Sequence, residues 1–104
     1  MASIAAFTGG GRAGSLAYAA AKAGLFGITY SLAHELSLQG INANAIAPGL
    51  IANTGFTGEG SEELGRSVVS EMLVGRDSHV NDIAAAASFL ASKEASFISG
   101  EVFM

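Results

Sequence analysis

The chain has no cysteine, no tryptophan and a single proline, and only 13% of its 104 residues are charged. Without cysteine there is no disulfide framework and no thiolate metal site. Two histidines among scattered acids, 2 His against 9 Asp and Glu, make no expected metal site either. A formal charge of −4 argues against nucleic acid and against anionic membrane surfaces. The longest stretch without charge, residues 36–58, contains Pro48 and several Asn and Gly, so it is not read as a membrane span. No basic region precedes an apolar run near Met1, so no targeting segment is expected. The reading is a single cytoplasmic domain, residues 1–104, with no metal, membrane or nucleic-acid partner.

What is present is small and apolar. Half the residues are hydrophobic, with alanine prominent, and 14 are glycine, while aromatics make only 8%. Such elements pack closely but bury little area per residue, so the core is expected to need help from a partner chain.

Residues Ser3–Phe7 read as the end of a short strand and Thr8–Gly14 as a glycine-rich loop. A long helix is expected from Ser15, its N-cap, to about Leu38, with Gly40 as its stop. Leu16, Ala20, Ala23, Gly24 and Gly27 form a stripe of mostly small residues on it, open to close approach by another helix. Ile41–Ala47 reads as a buried strand ended by Pro48-Gly49. Strand, helix and strand together make a βαβ unit of a parallel sheet. Leu50–Gly60 reads as a loop, Ser61–Leu73 as a helix, about Val80–Ser92 as another, and Gly100–Met104 as an edge strand. The fold class is α/β: a partial doubly wound, Rossmann-like parallel sheet.

The chemistry centres on Tyr18-Ala-Ala-Ala-Lys22. Four residues are about one helical turn, so phenol and ammonium share a face. A tyrosine with a pKa of about 10 is a poor acid or base at neutral pH, and a nearby ammonium draws it toward the working range. The spacing thus suits proton transfer. Gly9-Gly10-Gly11-Arg12-Ala13-Gly14 meets the G-x-G-x-x-G pattern between a strand and a helix. The ribose-binding carboxylate it requires is missing from Ala45–Gly49, so the loop reads as a connector, with anion binding by Arg12 and the helix start as its remaining use.

Ser3-Ile-Ala5, Tyr18–Gly27, Ser31–Leu36, Gly40–Gly49, Gly75-Arg76, Asp82-Ile-Ala84 and Phe89–Glu101 together resemble the short-chain dehydrogenase/reductase family. The resemblance spans nearly all of this chain but only the second half of that family's domain. It implies an oxidoreductase interconverting a carbonyl and an alcohol with NAD or NADP. Tyr18 would be the proton donor, Lys22 its pKa-lowering partner and holder of the nicotinamide ribose, and Ser3 the hydrogen-bond donor to the substrate oxygen. Pro48, Gly49 and Leu50 would form the turn beside the nicotinamide, and Thr54, displaced by one from the usual threonine where Asn53 stands, would hold its carboxamide. The Ser3–Tyr18 separation is slightly longer than in most members. The family's adenine side lies in the half not matched, so weak cofactor binding by a truncated half-domain is expected, and a homodimer or larger homo-oligomer. Two other classes use the same residues: a non-catalytic assembly module, and a small esterase-like hydrolase built on Ser3, Tyr18 and Lys22.

Overall fold

The computed structural model describes residues 1–52, 54, 66, 69–70 and 72–104. Helix α1 is Ala5–Thr8, α2 is Leu16–Leu36, strand β1 is Ala45–Ile46, helix α3 is Val80–Leu90 and strand β2 is Val102–Phe103. Short 3-10 turns at Ser37–Gln39 and Lys93–Ala95 follow α2 and α3. Of the helix expected over Ser61–Leu73, Arg66, Val69 and Ser70 are helical, and its start at Ser61, Glu62 and Glu63 lies outside the described residues.

β1 and β2 pair in parallel, Ala45 with Val102 and Ile46 with Phe103, and α3 crosses between them. This β1–α3–β2 unit is the full βαβ, one unit later in the chain than expected. The expected first unit is present in one-sided form. Ala2 N–H donates to Ile46 O at 2.8 Å and Ile4 N–H to Pro48 O at 3.0 Å, which is parallel register. The return bond would come from the nitrogen of residue 48, and proline has no N–H. Residues 1–4 therefore lie beside β1 without completing a ladder. The strand expected through Phe7 ends there: Ser3 Oγ accepts the Ala5 N–H at 3.2 Å and α1 begins.

The strand expected over Ile41–Ala47 is likewise shorter. Before Ala45 one backbone bond remains, from the Gly100 N–H to Ala43 O at 2.7 Å, and side chains stand in for other ladder partners. Asn42 Nδ2 donates to Ser96 O at 3.0 Å and Asn44 Nδ2 to Ile98 O at 2.9 Å, while Asn44 Oδ1 accepts the Glu101 N–H at 3.1 Å.

α2 runs as expected and Gly40, at φ +75°, reverses the chain after it. Ser15 stands at the N-cap position, but its side chain makes no cap bond. Its backbone is already helical, φ −82° and ψ −3°, and its Cβ packs against Gly10 instead. Phe7 of α1 meets Phe26 of α2 with ring centroids 4.6 Å apart.

The buried core is built from methyl groups. Ala2, Ala45 and Ala47 sit together under Leu25, Phe26 and Val102, and among the described residues no large side chain is fully buried. α2 spreads its apolar residues around its circumference rather than on one face, and Thr29 is its one buried residue among those described. Leu16, Ile28, Tyr30 and Leu32 are exposed, and Gly24 and Gly27 face open space. No described helix is long and apolar enough to cross a membrane.

Candidate active site

Three separate segments converge on one cleft of about 680 Å³, within the usual range for small-molecule sites. Residues 1–5 form its floor. The loop around Gly10, Arg12 and Gly14 with the start of α2 forms one wall, and Pro48–Ile51 with Thr54 forms the other. The residues that the family resemblance assigned to a site all line it: Ser3, Tyr18, Lys22, Pro48, Gly49, Leu50 and Thr54.

Tyr18 and Lys22 lie one turn apart on α2. Lys22 Nζ is 5.8 Å from the centroid of the Tyr18 ring, a cation–π distance. The same ammonium donates to Met1 O at 3.1 Å, which ties α2 to the N-terminal segment. The half-buried Ser3 uses its oxygen as acceptor for the Ala5 N–H, so the hydroxyl hydrogen is still available to a group in the cleft. Thr54 Oγ1 donates to Ile51 O at 3.3 Å. Asn53, which displaces it, lies outside the described residues.

Two features of the site had little or no signal in the sequence. Ser78 secures the wall from a distance: its Oγ donates to Leu50 O at 2.9 Å, and its carbonyl accepts the Ala52 N–H at 3.0 Å. A serine twenty-eight positions away carries no motif that would announce this. The loop at Gly9–Gly14, read as a connector, is instead a wall of the cleft, and its glycine density was the available clue.

The turn that carries Ser78 is clamped on its far side. Arg76 grips Asp82 with both terminal nitrogens at 2.8 Å, and the His79 N–H donates to Asp82 Oδ2 at 2.9 Å. The Arg76 guanidinium, and then the His79 amide, hold the Asp82 carboxyl well below the usual carboxylate range. Arg76 is raised in turn by Asp82. His34 is exposed in the last turn of α2, and His79 directly precedes α3. Among the described residues no three His, Cys, Asp or Glu side chains are grouped to hold a metal.

Comparison with known proteins matches residues 1–104 to the family model described as enoyl-(acyl carrier protein) reductase. The chain is 45% identical over 91 residues to 3-oxoacyl-[acyl-carrier-protein] reductase FabG of Salmonella typhimurium, covering 88% of this chain and 37% of that protein. It is 44% identical over 88 residues to the short-chain dehydrogenase/reductase eriH of Hericium erinaceus, covering 85% and 35%. Among solved structures, a blue fluorescent protein from a metagenomic library, in complex with NADPH, superposes with a TM-score of 0.84 at 34% identity, covering 98% of this chain and 40% of that one. A putative short-chain alcohol dehydrogenase from Sinorhizobium meliloti 1021 gives the same TM-score, 0.84, and the same coverage at 30% identity. The chain thus spans well under half the length of the relatives it matches. With the whole chain matched in sequence and the parallel sheet superposed on those folds, it belongs to the short-chain dehydrogenase/reductase family.

Proposed function

We propose that this chain carries the proton-transfer side of a nicotinamide-dependent oxidoreductase acting on a small carbonyl or alcohol. The observation that carries the reading is the convergence of Ser3, Tyr18, Lys22 and the Pro48–Leu50 turn on one cleft. The donor set fits the nicotinamide–ribose end of NAD or NADP. The Lys22 ammonium and Tyr18 phenol suit ribose hydroxyls, Pro48, Leu50 and Ile51 give an apolar wall for a flat ring, and Thr54 suits a carboxamide. When bound, such a cofactor supplies a hydride to the substrate carbon or takes one from it. The protein's own residues handle the oxygen. Ser3 donates its hydroxyl hydrogen to the substrate oxygen and so polarises and orients the carbonyl. Tyr18 gives that oxygen a proton as the carbonyl becomes an alcohol, and takes it back in the reverse direction. Lys22, anchored by the Met1 carbonyl, offers positive charge to the phenolate left behind.

The NADPH-bound neighbour and the reductase names of the relatives support this reading. As a separate part of the proposal, the exposed apolar surface of α2 is covered by a second copy of the chain. The test is carbonyl-dependent oxidation of NADPH or NADH by the purified chain, with cofactor fluorescence as a parallel binding assay. Tyr18→Phe is expected to lower kcat by about 10²–10⁴-fold with KM little changed. Equal turnover by Tyr18→Phe refutes the assigned role, and a chain that neither binds nor oxidises the cofactor refutes the function. Sedimentation at micromolar concentration tests the oligomer, which a strictly monomeric folded particle excludes.

A further inference from the structure

The cleft differs in charge from the molecule around it. The chain carries 9 acids against 5 Lys and Arg. Yet Arg12 and Lys22 both line the cleft, and among the described residues no Asp or Glu does. Lys22 is engaged by the Met1 carbonyl, and Arg76 is engaged by Asp82. Arg12 is exposed and makes no ion pair among the described residues.

The base of Arg12 is held by a built loop. Gly9, Gly10, Gly11 and Gly14 all have φ between +67° and +86°. The Gly10 N–H donates to Thr8 Oγ1 at 3.2 Å, and the Ser15 N–H to Arg12 O at 3.3 Å. Gly10 lies so close to Ser15 that a Cβ there would be 2.5 Å from the Ser15 Cβ. The loop is therefore seated on the start of α2. The turn from Arg12 to Ser15 and the helical turn from Ser15 to Tyr18 put the Arg12 and Tyr18 Cα atoms within about 12 Å. Two side chains of that length, both facing one cleft, can hold the two ends of one small molecule.

We infer that Arg12 is a specificity-determining residue that selects carbonyl substrates bearing a carboxylate or similar anionic group, which its guanidinium holds while the carbonyl lies at Tyr18. The reactive end of this assignment rests on the carbonyl-reducing function above; the anion preference does not. A guanidinium fork matches a carboxylate with two parallel hydrogen bonds.

Binding to the ¹⁵N-labelled full chain tests it without turnover. The probes are acetoacetate, its neutral methyl ester, and nicotinamide mononucleotide as the source of a cofactor-type phosphate. Acetoacetate is expected to bind about tenfold or more tightly than the ester, with the preference falling as salt is raised. Arg12→Gln should erase that preference and Arg12→Lys should keep part of it. The inference is overturned if acid and ester bind alike, if Arg12→Gln leaves the preference intact, or if Arg12→Gln weakens only the mononucleotide. Tyr18→Phe should leave the preference unchanged, which separates this outcome from failure of the oxidoreductase function. Circular dichroism of each variant confirms that it is folded.

Discussion

The contact between Gly10 and Ser15 allows one wall of the cleft to be tested by energy alone. Gly9 and Gly10 both adopt left-handed φ, +71° and +84°. An alanine at either position meets backbone strain of about 1–2 kcal/mol. They differ in space: a Cβ at Gly9 meets nothing within 4 Å, whereas one at Gly10 falls 2.5 Å from Ser15 Cβ and 2.8 Å from Ser15 Oγ. Carbon atoms prefer about 3.5–4.0 Å. Rotating Ser15 moves its Oγ but not its Cβ, so the loop or the start of α2 must shift, at about 1–3 kcal/mol. Gly10→Ala should therefore destabilise by about 2–5 kcal/mol and Gly9→Ala by about 1–2. Ser15→Gly removes the obstructing atom, and the next neighbour, Ser15 Cα, is 3.9 Å away. In that background Gly10→Ala should cost no more than Gly9→Ala. Urea unfolding followed by far-UV circular dichroism gives all five stabilities. Equal effects at Gly9 and Gly10, or no relief from Ser15→Gly, refute the argument that this contact seats the loop.

Other consequences follow from single contacts. Lys22→Met removes both the ammonium near Tyr18 and the tie to Met1 O, so NADPH affinity, read by cofactor fluorescence, should fall about tenfold. Asn44→Ala leaves Ile98 O and the Glu101 N–H without their partner and should cost about 1–3 kcal/mol in urea unfolding. Asn44→Asp keeps the acceptor for the Glu101 N–H but sets a carboxylate oxygen against Ile98 O, so it should not restore the wild-type stability. Asp82 has a native pKa lowered by Arg76 and His79, so below about pH 4 the unfolded chain binds the extra proton first. Its stabilisation is complete above that pH and declines as pH falls toward the depressed native value. Asp82→Asn should flatten the acid limb of stability against pH, and an unchanged limb counts against the Arg76–Asp82 clamp.

Much of the fold could be read along the chain because the signals are local. Alanine propensity and the Gly40 stop outline α2, and the Tyr18–Lys22 spacing is a property of one helix. The family motifs likewise singled out Ser3, Tyr18, Lys22 and the Pro48–Leu50 turn before any contact was known, and the structure places all of them along one cleft. Strand lengths were less legible. Whether residues 1–4 complete a ladder depends on the donor that Pro48 lacks, and whether residues 42–44 join the sheet depends on Asn side chains finding carbonyls more than fifty positions away. Those are pairings between distant segments, which no local pattern encodes.

The sequence by itself determined which chemical groups the chain owns, how Tyr18 and Lys22 are spaced, and which family it resembles. Tertiary structure decided which of those groups share a cleft. Closing residues 1–5 over β1 brings Ser3 opposite the Pro48 turn, and Ser78 pins that turn from the approach to α3. The same closure turns the glycine loop from a connector into a wall and leaves Arg12 facing the site, because Gly10 has no side chain to keep the loop away from Ser15.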